Sequence, residues 1–330
     1  MGSLLERVRG RLRVTMQSAA DQQLEELTKR LADIVSPKIR SVRGYTKALR
    51  EPISLARAHS RDIVAALGEP VTFAPDHWLT DPLVNALFVS VDHLREVLFR
   101  NKDVAAVMNG EDVLECCFLL TTSRVERQGF GSRIEGEIIR QDIPHTGVTF
   151  TDHRIVALSP DPERTRKMLV DLALEFKAKR LAEHLIRNQA KIREFDELRK
   201  TLRIELKLLE LSAHGLHAAF SDQATVIQKR DDLKKVLQEV EQELHQARAG
   251  FQDLSDYLDY MRAALMASEE ILSSSEVRIW LDEAGIVSND HAGRNAREVR
   301  FLELTSGDIR RVAVLARIEK SALKRRERFG

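Results

Sequence analysis

The chain has 330 residues, of which 31% are charged and 43% hydrophobic, with only 8 Pro and 15 Gly. The charged fraction exceeds the roughly 25% of ordinary globular domains and turn formers are scarce, which favours long solvated helices over a compact enzyme core. No run of 18 apolar residues is present, which excludes a transmembrane helix from the reading.

The opening segment MGSLLERVRGRLRV lacks the apolar core and small-residue cleavage site of a signal peptide. Glu6 stands where a myristoylation pattern needs Ser or Thr. The two cysteines, Cys116 and Cys117, are adjacent. As strand neighbours they point to opposite faces and cannot staple distant segments, so a reducing, cytoplasmic setting is expected. Net charge is +1 but unevenly spread. Residues 1–50 carry 11 basic and 5 acidic side chains, residues 51–162 carry 10 and 17, and residues 294–330 carry 11 and 5. Both ends are basic and the body is acidic or mixed.

In chain order, residues 3–35 read as helix, with Leu24, Leu27, Leu31, Ile34 and Val35 at three- and four-residue spacing. Residues 38–67 continue in helical composition, with a break expected near Arg50 and Pro52 in the first turn of a new helix. Asp81-Pro82 opens an amphipathic helix carrying Leu83, Leu87, Val91, Leu94 and Leu98, capped by Thr80 or Asp81. A short helix near Asp103–Met108 follows. Strand formers dominate from Val113 to Leu158, with a turn at Gly129–Gly131 and a bend at Pro144 and Gly147. That pattern predicts an antiparallel meander of about three strands.

Pro160-Asp161-Pro162 starts a long helix. Leu174, Ala178, Leu181, Leu185, Asn188, Ile192, Phe195, Arg199, Leu202, Leu206 and Leu209 recur at alternating steps of four and three. After a break at His214–Ser221, a second run holds Val226, Arg230, Leu233, Leu237, Val240, Leu244, Ala247, Phe251, Leu254, Leu258, Met261, Leu265, Ser268 and Leu272. Heptad spacing sustained this far is a coiled-coil signature. The two arms, about 75 Å each at 1.5 Å per residue, are joined by a short connection and so read as an antiparallel hairpin. The first arm is net basic and the second net acidic, which favours their mutual pairing over pairing of like arms. Ser273 and Glu276 have the spacing of a capping box and predict a short helix over Val277–Ala284. Val299–Thr305, Ser306-Gly307-Asp308 and Ile309–Ile318 read as a β-hairpin, with Val312, Val314, Ala316 and Ile318 alternating. Two isolated strands are marginal in water, so this hairpin is expected to join the 113–158 strands.

The expected fold is mainly α with a small antiparallel sheet (α+β). It divides into an N-terminal helical region at 1–110, a β-meander head at 111–160, a coiled-coil hairpin at 161–273, and a short helix with β-hairpin and basic tail at 274–330.

Candidate chemistry is thin. His214 and His217 share a helix side at the hairpin tip, but two ligands do not make a metal site, and a solvated tip is the plainer account. Asp152 and His153 are strand neighbours and point apart, whereas Asp152 and Arg154 share a face and can pair. Cys116 and Cys117 have no neighbour that would activate a thiol, so packing is expected, one in the core and one at a surface or helix interface. Gly129-Phe130-Gly131 and Ser306-Gly307-Asp308 match no phosphate loop. No catalytic residue, cofactor or metal site is assigned.

Arg7, Arg9, Arg11 and Arg13, with Lys324, Arg325 and Arg326 at the other end, form basic patches. They suit a nucleic-acid backbone, an anionic membrane surface or the protein's own acidic segment. The leading expectation is a non-enzymatic coiled-coil scaffold or adaptor acting on a protein partner or on itself as a homo-oligomer. A DNA- or membrane-surface protein is the second reading. An enzyme with its site around Asp152, His153 and Arg154 is the third.

Overall fold

A computed structural model describes residues 21–108, 110, 113–135, 138–212, 223–249, 251–282, 284–288 and 296–324. Helix α1 covers residues 21–35, followed by a 3-10 turn at Pro37–Ser41 and α2 at Tyr45–Ala66. Strand β1 (Val71–Thr72) precedes α3 (Pro75–Thr80), α4 (Pro82–Leu87), α5 (Val91–Arg100) and α6 (Lys102–Met108). Strands β2 (Glu115–Glu135) and β3 (Ile138–Ser159) lead into α7 (Pro162–Ser212). Helices α8 (Gln223–Arg248), α9 (Leu254–Met266) and α10 (Ser268–Ile271) follow. Strands β4 (Ser273–Leu281), β5 (Arg297–Ser306) and β6 (Ile309–Glu319), then α11 (Lys320–Lys324), complete the described chain. The fold is thus mixed helix and sheet. It divides into two compact units, Met1–Ser54 with Glu175–Met266, and Leu55–Leu174 with Ala267–Gly330.

In the helical unit, α1 buries Leu27, Leu31, Ala32 and Val35, one apolar stripe of an amphipathic helix. Along α7, Ala178, Leu181, Leu185, Leu202 and Leu206 are buried, and α8 buries Val240 and Leu244. Val226, Arg230, Leu233 and Leu237 on α8 are half-buried among exposed neighbours. Side chains join α7 to α8 in opposite senses: Lys191 pairs with Glu243 at 3.4 Å, Arg203 with Glu241 at 2.6 Å, and Asp196 with Arg248. The second heptad run is not one helix. α8 stops at Arg248 and α9 restarts at Leu254, where the Asp256 carboxylate accepts from the Gln252 and Asp253 amides at 2.7 and 2.9 Å. That is a helix-start cap inside a continuous apolar pattern.

In the sheet unit, the strand order is β3-β2-β6-β5-β4, with β1 running parallel to β6. The C-terminal hairpin does join the central strands, because β6 pairs antiparallel with β2 from Glu115↔Glu319 to Thr122↔Val312. One face of the sheet carries Cys116, Phe118, Leu120, Val312, Val314, Ala316 and Ile318, packed with Phe73, Val84, Leu87, Phe88, Leu94 and Leu98 from α4, α5 and the segment before α3. Phe73 meets Phe88 and Phe118 edge to face, at 5.3 and 6.1 Å between ring centres.

Four expectations need correction. α2 runs unbroken through Pro52. Leu49 and Ile53, both fully buried on either side of it, hold the helix across the lost backbone hydrogen bond. The helix from Asp81 is two helices. Asp81 caps α4 through the Leu83 and Val84 amides, and Ser90 caps α5 through the His93 amide. The chain breaks at Phe88, whose carbonyl accepts the Trp78 indole N–H at 2.7 Å. Gly129–Gly131 is not a turn and Pro144–Gly147 is not a bend, because β2 and β3 pair continuously past both as two long strands. Gly129 lies opposite His145, whose ring would stand 3.0 Å from any Cβ placed there. The capping-box segment from Ser273 is strand β4, with Val277, Ile279 and Leu281 turned toward the core. Both cysteines are fully buried, Cys116 in the principal core and Cys117 at the interface with the start of α7, one of the two places expected for it.

Candidate functional site

The polar cluster around Asp152 is built by a strand irregularity. On β3, Asp152 and His153 together oppose Thr122 of β2, forming a bulge in which Asp152 takes φ 54°. Its carboxylate accepts from Arg154 Nε at 3.1 Å and Nη2 at 2.9 Å, and from Arg311 Nη1 at 2.7 Å. Arg311 also donates to Ser123 Oγ at 2.6 Å and to the Asp152 carbonyl at 2.9 Å. The Arg154 and Arg311 guanidiniums hold the Asp152 carboxyl below the usual carboxylate range. A carboxylate so engaged is a poor proton acceptor. The group works as a clasp across β3, β2 and β6.

The expected pairing of Asp152 with Arg154 is present, and Asp152 and His153 are not brought together. His153 instead stacks on Phe88 (5.2 Å, 20°) and meets His93 edge-on at 5.2 Å. Its Nε2 lies 2.9 Å from the Leu87 carbonyl, so that nitrogen carries the proton and donates. Burial pushes its pKa down. Neutral and fixed, His153 ties β3 to the end of α4.

Burial pushes the Cys116 thiol up to about 12 and raises that of Cys117 as well. Both stay protonated at neutral pH, which removes them as nucleophiles. Cys116 is in the principal core, whereas Cys117 faces the start of α7, where the Thr165 hydroxyl donates to its carbonyl at 3.3 Å. Arg7, Arg9, Arg11, Arg13, His214, His217, Arg325 and Arg326 lie outside the described residues, and Lys324 closes α11. Among the described residues, no group of three or more His, Cys, Asp or Glu is arranged to hold a metal ion, and no helix is long and apolar enough to cross a membrane.

Three features were not anticipated from sequence. Lys177 of α7 is fully buried, and burial pulls its ammonium down to about 8. The two polar heptad exceptions on α7 have partners. Asn188 donates to the Ala247 carbonyl at 3.0 Å, and Arg199 pairs at 2.9 Å with Asp196, which also holds Arg248. The third feature is a cleft of about 600 Å³ in the sheet unit, between the end of α2 and the start of α7, with Arg317 of β6 among its lining residues. Arg61, Arg166, Lys167 and Arg317 line it together with Glu69 and Glu163.

No protein-family model, no curated protein and no solved structure matches this chain.

Proposed function

We propose that the protein is a non-enzymatic, cytoplasmic scaffold whose α7 and α8 form an antiparallel coiled-coil hairpin, and that the outer face of α7 pairs with a second copy of the chain. The alternation of buried heptad positions with exposed neighbours, and the cross-helix pairs at Lys191, Asp196 and Arg203, support the hairpin.

One observation carries the self-pairing. Ile204, Leu208 and Leu211 are 61%, 60% and 63% exposed. At 3.6 residues per turn they fall within about 60° of arc, on the side of α7 opposite buried Leu202 and Leu206. Ile186, about five turns earlier on the same helix, falls on the same line and is exposed too. A row of large apolar side chains facing water on the outside of a helix is a docking surface rather than a core.

The flanks select the occupant. Lys200 and Lys207 border one side of the row, and Glu194 and Glu205 the other. In a parallel pair related by a twofold axis, the basic flank of one copy meets the acidic flank of the other. In an antiparallel pair, like flanks would meet. The row is shorter than the roughly 800 Å² per partner of a standard interface, so the association should depend on protein concentration.

Sedimentation velocity over a concentration series tests this. Lys200→Glu with Lys207→Glu should abolish self-association, as should Glu194→Lys with Glu205→Lys. An equimolar mixture of the two variants should restore a dimer, because both flanks then become complementary. A wild-type chain that stays monomeric at every concentration, or a mixture that does not associate, would reject the reading.

A further inference from the structure

We propose that the cleft between the end of α2 and the start of α7 binds the phosphate or pyrophosphate group of a small soluble molecule. This site lies in the sheet unit and does not depend on the scaffold reading.

The cleft gathers four cations, Arg61, Arg166, Lys167 and Arg317, against two carboxylates, Glu69 and Glu163. Among the described residues, none of the four forms a salt bridge with a carboxylate. Like charges collected in one concavity repel unless a counterion joins them, and a low-dielectric wall strengthens the field they make together.

Two of the guanidiniums are already oriented. Arg166 donates to the Val64 carbonyl at 3.3 Å and the Gly68 carbonyl at 2.6 Å, which closes the end of α2. Arg317 donates from Nε to Thr72 Oγ1 at 3.1 Å, leaving its two terminal nitrogens for another acceptor. The Arg317 fork, held in place, matches the paired oxygens of a phosphate and loses little freedom on binding, while Arg166, its terminal nitrogens engaged by the two carbonyls, adds a fixed positive charge beside it. Arg61 and Lys167 stand exposed on the flanking helices and bring uncommitted charge.

The rest of the lining sets the ligand class. Val64, Ala65, Pro70, Pro162 and Val170 supply apolar wall. The volume is that of ordinary small-molecule sites, which combine an apolar wall with a few placed polar groups. A bare inorganic ion would leave that wall unused, so the expected ligand is a phosphorylated organic molecule of nucleotide size or smaller.

The probe is pyrophosphate, followed by isothermal titration and by the tryptophan-detected thermal midpoint of the full-length protein. Binding should saturate, and the midpoint should rise beyond any change produced by sodium chloride at equal ionic strength. Arg61→Glu combined with Lys167→Glu should weaken binding at least tenfold. Both residues are exposed, so the unliganded midpoint should stay put. Arg164→Glu, on α7 but outside the lining, should bind as the wild type does. No saturable binding would overturn the proposal, as would equal loss in the Arg164 variant. So would capture on phosphatidic-acid vesicles without any response to pyrophosphate.

Discussion

The two units place their polar side chains differently. The helical unit sets them on its buried seam: Asn188 reaches across to Ala247, Asp196 bridges Arg199 and Arg248, and Lys177 lies fully buried. The sheet unit keeps its main core apolar, from Phe73 to Ile318, and sets its charges at the margin of that face, where buried Glu303 pairs with Arg124 at 3.4 Å, and on the other face, where Arg311 clasps Asp152. The difference follows from how each unit fixes its register. Two helices with an unbroken apolar seam can slide by a heptad at little cost, and a polar pair on the seam penalises the slide. Strands are already registered by their hydrogen-bond ladder and by bulges, so no polar marker is needed in the core.

The largest test compares the two interiors. Phe118 is fully buried and its ring meets that of Phe73. Phe118→Ala should cost about 3–5 kcal/mol of the sheet unit's stability. Both tryptophans, Trp78 and Trp280, belong to that unit, and all three tyrosines, Tyr45, Tyr257 and Tyr260, to the other. Denaturant unfolding followed by tryptophan emission should therefore shift strongly, while the helical signal in circular dichroism should retain a late component. Identical shifts by both probes would mean that the units unfold as one, and the contrast drawn above would fail.

Next in size is a pH effect confined to the helical unit. Lys177 has a folded pKa of about 8 against an ordinary 10.5. Below pH 8 the lysine is charged in both states, and its burial costs stability in full. Between pH 8 and 10.5 the unfolded chain binds the proton that the folded chain has released. Stability therefore rises with pH across that window, by on the order of 2–3 kcal/mol. Lys177→Met should lack the rise. Urea midpoints at pH 7, 9 and 10 for the two proteins, read by circular dichroism, decide it.

A third test aims at register directly. Asn188→Leu should raise the stability of the α7/α8 pairing by about 1 kcal/mol while loosening its alignment. Cysteine pairs placed at Lys191 and Glu243, or displaced by one heptad on α8, report the alignment through crosslinking. Wild type should crosslink only in the first arrangement, and the variant in both. A variant that keeps the single arrangement would show that ion pairs such as Arg203–Glu241 suffice.

How much of this was legible in the sequence follows from the range over which each signal acts. The helices α7 and α8 were readable because their apolar period repeats over many turns, and β6 because Val312, Val314, Ala316 and Ile318 alternate on its core face, although Ala313 and Leu315 on the other face are buried too. β4 was missed. Its Ser273 and Glu276 mimic a helix start, and its alternation spans only Val277, Ile279 and Leu281, so pairing with β5 decides the outcome. Gly129 was mistaken for a turn residue because glycine also serves where a cross-strand ring comes close, and His145 was not visible from local sequence. The cleft has no local signature, since Arg61, Arg166 and Arg317 come from three distant segments.

The smallest effect separates backbone geometry from side-chain contact within the sheet unit. β3 is bulged at Asp152 and at Ala157, and both residues sit in the left-handed region, at φ 54° and 56°. That conformation costs a non-glycine residue about 1–2 kcal/mol. Glycine removes the strain but adds back roughly 0.5–1 kcal/mol of chain entropy. Ala157→Gly also loses a buried methyl group, about 0.8 kcal/mol, so the three terms nearly cancel and its midpoint should stay put. Asp152→Gly relieves the same strain and also releases Arg154 and Arg311 from their shared acceptor. Its tryptophan-detected midpoint should fall where that of Ala157→Gly does not. A loss at one of two positions with one backbone geometry assigns the difference to the clasp. Equal shifts at both would mean that the clasp adds nothing to the strand pairing around it.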